Sequence, residues 1–459
     1  MRAWISAHRR GLALLAAITV AGGLLRLEPA RNPSRYQSVD ERAYARLART
    51  IARTGHYGAR EMHDPLRWAP GAPYAFALAH EIRPRNAGGG RWDVPSAYPL
   101  QWAFGTALVP AVFVLTALLA GVPAGLVAAA AIAAYPPLIN ASGDLLTEPL
   151  GALMLTVALI AVVLALRRPT VARTATAGLL LGLTVLVRAD LLPVPFLLVA
   201  LVGGVASQAH GRRRGLGAAA VMGAGVLVAL APWSIFASSR EDRFVPVSTG
   251  GASNLYVGTY VPGDGTMFGL KREWADRVRA HEPQLRNEPA WRLPQLRVMD
   301  TVAATHPEAP DREAALRAAV RDNVRDYVVG DPLGFGAMAV RKASRLWLSY
   351  SVGTVRHQHE ATRTLHIALV LAAFAGLLTG LVARRGRVPG LWAIVVVLAW
   401  VTLVNVVLVS EARHNLPVMP VLVAGGAAGA ALAVRQWRTR TVTDRPTTRP
   451  DRPMARTAT

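Results

Sequence analysis

Asp40 and Glu41 are adjacent carboxylates in a chain of which only 17% of residues are charged. They follow Ser38-Val39 and lead into Tyr44, Leu47, Ala48 and Ile51, whose three- and four-residue steps put them on one helical face. Gly55 suits the C-cap of that helix, and Asp40 lies near its positive end, which favours a carboxylate. Two chemistries fit: an N-cap with a surface glutamate beside it, or a carboxylate base facing a cleft. Taken alone, the local pattern reads more readily as the cap. Tyr57 follows in Thr54-Gly55-His56-Tyr57-Gly58.

Four further polar groups could join such a site. Asp144 and Glu148, with Asn140 and Thr147 around them, are four apart. On one helix both carboxylates would share a face, where like charges repel unless they meet a cation, a metal or a hydroxyl-bearing ligand. Arg188 stands in Arg188-Ala189-Asp190, and Arg413 in Glu411-Ala412-Arg413-His414-Asn415. The planar fork of arginine suits phosphate, against the plainer reading that each side chain snorkels to lipid headgroups. The stretch from Pro232-Trp233 to Ser248-Thr249-Gly250-Gly251-Ala252-Ser253-Asn254-Leu255 offers glycines that let a backbone approach a ligand closely.

These groups are scattered through apolar sequence that must position them. The chain has 459 residues, 52% of them hydrophobic, in runs such as 11–25, 108–134 and 365–382. Runs of about 20 apolar residues cross a bilayer as helices. Spans are expected near 11–28, 98–119, 121–138, 145–166, 173–188, 190–207, 215–236, 363–383, 389–409 and 415–434, which makes an all-α polytopic membrane protein of about ten helices. The net charge of +23 sits largely in clusters beside these runs, among them Arg9-Arg10, Arg167-Arg168, Arg212-Arg213-Arg214 and Arg384-Arg385-Arg387. That distribution is what cytoplasmic anchors give, so nucleic acid is not the expected partner. With Arg2, Arg9 and Arg10 inside, alternation puts every short basic loop inside as well. Basic clusters flank both ends of 173–207, so that segment crosses an even number of times, with Arg188 at the outer turn of a hairpin.

The domain reading follows. Residues 1–236 are an N-terminal transmembrane region whose first outer loop, 29–97, holds the acidic pair, with an interfacial apolar patch at 69–79. Residues 237–362 form a long extracytoplasmic loop with amphipathic patterns at 271–281 and 311–328, where Asp311 can cap. Residues 363–436 are C-terminal membrane helices, and 437–459 a disordered cytoplasmic tail rich in Thr, Arg and Pro. The chain has no cysteine, which excludes disulfides, thiol catalysis and cysteine metal sites.

In order, the set is Asp40-Glu41, Tyr44, Ala48, Gly55-x-Tyr57, Pro70-Gly71-x-Pro73, Leu146-Thr147-Glu148-Pro149-Leu150 and Gly178-x3-Gly182-Leu183-x2-Leu186-x-Arg188. Pro232-Trp233, the 248–255 loop and Glu411-x-Arg413-His414-x-Leu416-Pro417 complete it. This series resembles the GT-C superfamily of membrane glycosyltransferases, specifically the polyprenyl-phosphate-sugar-dependent group with protein O-mannosyltransferases and lipid A aminoarabinose transferases. The likeness runs from about residue 10 to about residue 435. It implies inverting transfer of a hexose or pentose from a polyprenyl-phosphate carrier to an acceptor on a protein, glycan or lipid, at the outer face of the plasma membrane. It implies Asp40 as the base and Glu41 beside it in support, and it places Glu148, with Asp144, on the acceptor or metal side. Arg188 and Arg413 would hold the donor phosphate, with Tyr44, Tyr57 and His414 in support. His414 departs from the aromatic usual after that arginine. The resemblance also implies that 237–362 forms membrane-lying helices rather than a separate folded domain.

Some GT-C members bind a divalent metal, so a metal stands open here, although His56, Glu61 and His63 have no metal-ligand spacing. No Rossmann fingerprint or P-loop is present, which suits a lipid-linked donor. The rival reading is a transporter or flippase, which would place its ionisable residues near the midplane rather than at outer span ends.

Overall fold

The computed structural model describes residues 9–33, 38–58, 62, 64–82, 94–350 and 360–443, and every regular element among them is helical. Arg2, Glu61, His63 and the tail beyond Thr443 lie outside the described residues.

The first half contains α1 (Arg9–Arg31), α2 (Val39–Thr54), α3 (Gly71–Ile82), α4 (Ala97–Ala120), α5 (Val122–Ala133), α6 (Pro136–Asn140), α7 (Glu148–Arg167), α8 (Val171–Val187), α9 (Pro193–His210) and α10 (Arg212–Glu241). Then come α11 (Gly251–Thr259), α12 (Met267–His281), α13 (Gln295–Ala303), α14 (Arg312–Asn323), α15 (Pro332–Leu348), α16 (Glu360–Ala383), α17 (Pro389–Val407) and α18 (Met419–Thr443). Among the described residues eight helices are long and apolar enough to cross a membrane: α1, α4, α7, α9 with its preceding turn, α10, α16, α17 and α18. A ninth candidate is α5 with Pro136–Gly143, bent by 59°. The remaining expected run is α8, apolar but only 17 residues long.

The bend has a local cause and a specific remedy. Pro136 and Pro137 carry no N–H and cannot continue α5, which leaves its last carbonyls open. Arg26 of α1 is fully buried and donates to the carbonyls of Ile132 and Ala133 at 2.8 and 2.9 Å. A charge inside a span is thereby turned into a helix cap.

Small residues govern how closely the spans pack. In the Gly178-x3-Gly182 motif, a Cβ on Gly178 would lie 2.0 Å from the Met222 carbonyl of α10. The motif is a packing device that seats α8 on α10. The sequence breaks between α8 and α9 at Arg188-Ala189-Asp190, the turn expected of a hairpin.

Helices α11 to α14 have a hydrophobic core of their own, built from Tyr256, Leu270, Trp274, Val278, Val298, Val302, Leu316 and Val320 among others. On α12 the buried Leu270, Trp274, Ala275 and Val278 fall at helical steps, and Asp311 caps α14 by accepting from Ala314 N–H. The stretch is therefore more than a series of helices lying singly on a membrane. It is tied to the bundle where Val409 N–H donates to the Asn254 carbonyl and Ser410 N–H to the Gly265 carbonyl, both at 3.1 Å. The last helix runs to Thr443, so the start of the stretch read as a disordered tail continues α18.

Candidate active site

The acidic pair divides its labour. Ser38 is the N-cap of α2: its hydroxyl accepts from Glu41 N–H at 3.2 Å, and the Glu41 carboxylate accepts from Ser38 N–H at 2.7 Å. This capping box makes Glu41 a structural group. Its other oxygen accepts from Leu145 N–H at 3.1 Å, which ties the start of α2 to the segment before α7. Glu41 is buried, not the surface neighbour expected of it. One residue earlier the helix turn points Asp40 into a cleft of about 500 Å³.

Asp40 Oδ1 accepts from Trp68 Nε1 at 3.1 Å, and Oδ2 pairs with Arg413. Burial acts to raise this carboxyl, but the charge and hydrogen bond of Arg413, helped by Trp68, hold it below the usual carboxylate range. Trp68 is in turn placed by Tyr57, whose hydroxyl donates to the Trp68 carbonyl at 2.7 Å and whose ring meets Trp233 edge-on at 4.7 Å. Tyr57 and Trp233 thus prop the wall without lining the cleft. Tyr44 does line it, and burial followed by the charges of Asp40 and Glu148 raises its phenol so that it stays neutral. Gly71 lets the first loop rest on the end of α8, since a Cβ there would lie 2.6 Å from Val187 Cγ2.

Glu148 enters from the start of α7, buried, with Oε1 3.9 Å from Arg413 Nη1 and Oε2 without a hydrogen-bond partner. Asp144 does not join it. The expected shared helical face is absent because α7 begins at Glu148, with Pro149 in its first turn, where a missing N–H costs nothing. Asp144 lies upstream in extended backbone, and its carbonyl accepts from Gln101 Nε2 at 2.7 Å. It does not line the cleft.

The two arginines also differ. Arg188 forks onto Asp190 at 3.1 and 3.0 Å and reaches Thr147 Oγ1 at 3.4 Å. Arg413 lies between Asp40 and Glu148, and although burial works against its charge those carboxylates keep it firmly protonated. His414 lines the cleft with Nδ1 2.7 Å from Asn405 Oδ1. Burial, then the charges of Arg413 and Arg188, lower its pKa to about 3, so the ring is neutral at ordinary pH.

Sequence reasoning did not single out Arg67, Trp68 or Lys271, and it named Glu411 and Asp190 beside the two arginines without giving them a role; all five line the cleft. Burial lowers Lys271 and Arg67 and raises Glu411. Asp190, two residues from Arg188, carried a readable signal. Lys271 carried none, since it arrives on α12 from the unit with its own core.

The cleft collects the start of α7 and the ends of α8 and α17, with the turns beside them. The far ends of α7 and α18 carry Arg167 and Arg435, and Arg384 follows the end of α16. The helical bundle has the fold of solved membrane glycosyltransferases of the GT-C type. No family model matches the sequence, and no curated protein does either. Among solved structures, it is similar to the oligosaccharyltransferase AglB from Archaeoglobus fulgidus in complex with an inhibitory peptide and a dolichol-phosphate, at 16% identity and TM-score 0.53 over 96% of this chain and 52% of that one. The same archaeal enzyme in complex with Zn and sulfate aligns at 17% identity and TM-score 0.53, over 93% and 50%. ArnT from Cupriavidus metallidurans bound to undecaprenyl phosphate aligns at 15% identity and TM-score 0.41, over 94% and 78%. The chain spans about half the length of the archaeal enzyme.

Proposed function

We propose that the protein is an inverting glycosyltransferase that moves a sugar from a polyprenyl-phosphate carrier to an acceptor hydroxyl. The observation that carries this reading is the convergence in one cleft of Asp40, the open Glu148 oxygen and Arg413. Asp40 takes the proton as the acceptor oxygen forms its bond to the anomeric carbon from the side opposite the phosphate. The anomeric C–O bond breaks and its electron pair leaves on the carrier phosphate. Cations lining the cleft meet that growing charge: Arg413 at the centre, Arg188 beyond it. Glu148 Oε2, with no partner of its own, is placed to accept from a sugar or acceptor hydroxyl. A phosphate leaves readily, so no covalent enzyme intermediate is required.

The fold it shares with an archaeal oligosaccharyltransferase solved in complex with a dolichol-phosphate supports a lipid-linked donor. The basic helix ends opposite the cleft support an extracytoplasmic site in a bacterial-type inner membrane. The charged groups stand at helix ends rather than midway along spans, which speaks for the transferase over a transporter.

The archaeal enzyme was crystallised with Zn. Here Asp40 and Glu148 have a guanidinium between them, and among the described residues no group of three or more His, Cys, Asp or Glu side chains could hold a metal ion. This donor set does not fit a resident divalent cation, and no step is routed through one.

The test uses purified protein in lipid nanodiscs with polyprenyl-phosphate sugars and mixed cell-envelope acceptors. Wild type is expected to release free polyprenyl phosphate, and Asp40→Asn to slow that release by about 10²–10⁴-fold. A wild type that consumes no such donor sinks the transferase reading. Full activity in Asp40→Asn sinks the base assignment.

A further inference from the structure

The position of Arg413 says how this cleft balances its charge. Its guanidinium touches Asp40 from the first outer loop and lies 3.9 Å from Glu148 Oε1 of the second. These carboxylates are 108 positions apart in sequence (Asp40 to Glu148), and this side chain pairs with both. Asp40 spends both oxygens, one on the Trp68 indole N–H and one on Arg413. Glu148 spends one on Arg413 and keeps Oε2 buried and unpartnered. A divalent cation coordinated by both carboxylates would have to sit where the guanidinium is, and would be repelled by it at contact distance. Guanidinium is always charged and presents five donors, so unlike a bound ion it cannot be lost to a chelator.

The geometry points to Arg413 as the resident cation of the site, the covalently attached counterpart of a divalent metal between the two outer-loop carboxylates. We infer that the cleft binds no divalent ion there and that transfer proceeds without one. The second clause rests on the glycosyl-transfer reading; the first does not. In this arrangement the guanidinium neutralises Asp40 and Glu148 while itself lining the cleft. Glu148 Oε2 stays open for a hydroxyl because no metal claims it.

The experiment measures Mn²⁺ binding to the full chain in nanodiscs by electron paramagnetic resonance, independently of any sugar donor. Wild type, Asp40→Asn and Glu148→Gln are expected to bind Mn²⁺ alike, at nonspecific lipid-level affinity. Arg413→Ala is expected to gain one Mn²⁺ with affinity raised at least about tenfold, and the double variant with Glu148→Gln to lose it again. Arg413→Lys, which keeps a charge, is expected to behave as wild type. One tight Mn²⁺ in wild type that disappears in Asp40→Asn or Glu148→Gln overturns the inference. So does an Arg413→Ala protein that melts as wild type does and gains no Mn²⁺. Should Arg413→Ala not fold, the wild-type measurement decides alone. Where the transferase assay succeeds, chelator must leave its rate unchanged, and a chelator-sensitive rate restored by Mn²⁺ also overturns it. Failure of the transferase assay leaves the Mn²⁺ result standing, so the two readings fail separately.

Discussion

Two arginine-bearing turns face the same cleft and are held in opposite ways. Arg188 is gripped by Asp190 of its own turn, two residues away. Arg413 is held by Asp40 and Glu148, whose separations in sequence run to hundreds of residues. A local pair can form as soon as the hairpin forms, and it organises the turn. A long-range pair forms only when the first loop, the second loop and the last turn have all arrived. The residue with distant partners is the better candidate for chemistry, because its place reports the assembled site.

Substitutions can break this contrast. Arg413→Met leaves Asp40 and Glu148 without their counter-ion, and transfer is expected to fall by about 10²–10³-fold. Because both side chains of the Asp40 pair are nearly a third exposed, the stability cost after solvent screening is only about 2 kcal/mol, measurable by thermal unfolding in nanodiscs. Arg188→Met should cost less activity, about tenfold, and Asp190→Leu should partly rescue its stability, because the pair is then removed whole. If Arg188→Met instead matches Arg413→Met in rate, the distinction between the two turns is lost.

A pH titration adds a smaller effect. His414 has a folded pKa of about 3, well under the unfolded value of about 6.5. Between those values the unfolded state binds the proton and the folded state does not, so stability rises with pH across this window. The melting temperature should climb from about pH 3 to about pH 6.5, and His414→Gln should flatten that climb. Asp40 works in the same sense further down: its depressed carboxyl contributes stability above about 3.9 and loses it as pH falls through the folded value. Smallest is Tyr57→Phe, which deletes one hydrogen bond to the Trp68 carbonyl for about 1 kcal/mol. Transfer should change little, since Tyr57 does not touch the cleft.

Legibility in the sequence followed the range of the interaction. The spans were readable because crossing a bilayer requires a local run of apolar residues. The Asp311 cap and the hairpin at Arg188 were readable for the same reason, since each is settled within a few residues. Asp144 and Glu148 misled because a four-residue spacing means a shared face only inside a helix, and α7 begins only at Glu148. Trp68, Arg67 and Lys271 line the cleft without a motif, because nothing near them in sequence says which wall they will form.

The acidic pair shows the division most sharply. By itself the sequence determined that two carboxylates stand at the start of α2, because the apolar steps from Tyr44 to Ile51 mark a helix beginning there. Only the tertiary structure decided that Glu41 turns inward to Leu145, beside the N-cap Ser38, and that Asp40 is the group in the cleft. That choice depends on Leu145, Trp68 and Arg413, which reach α2 only when the bundle has closed.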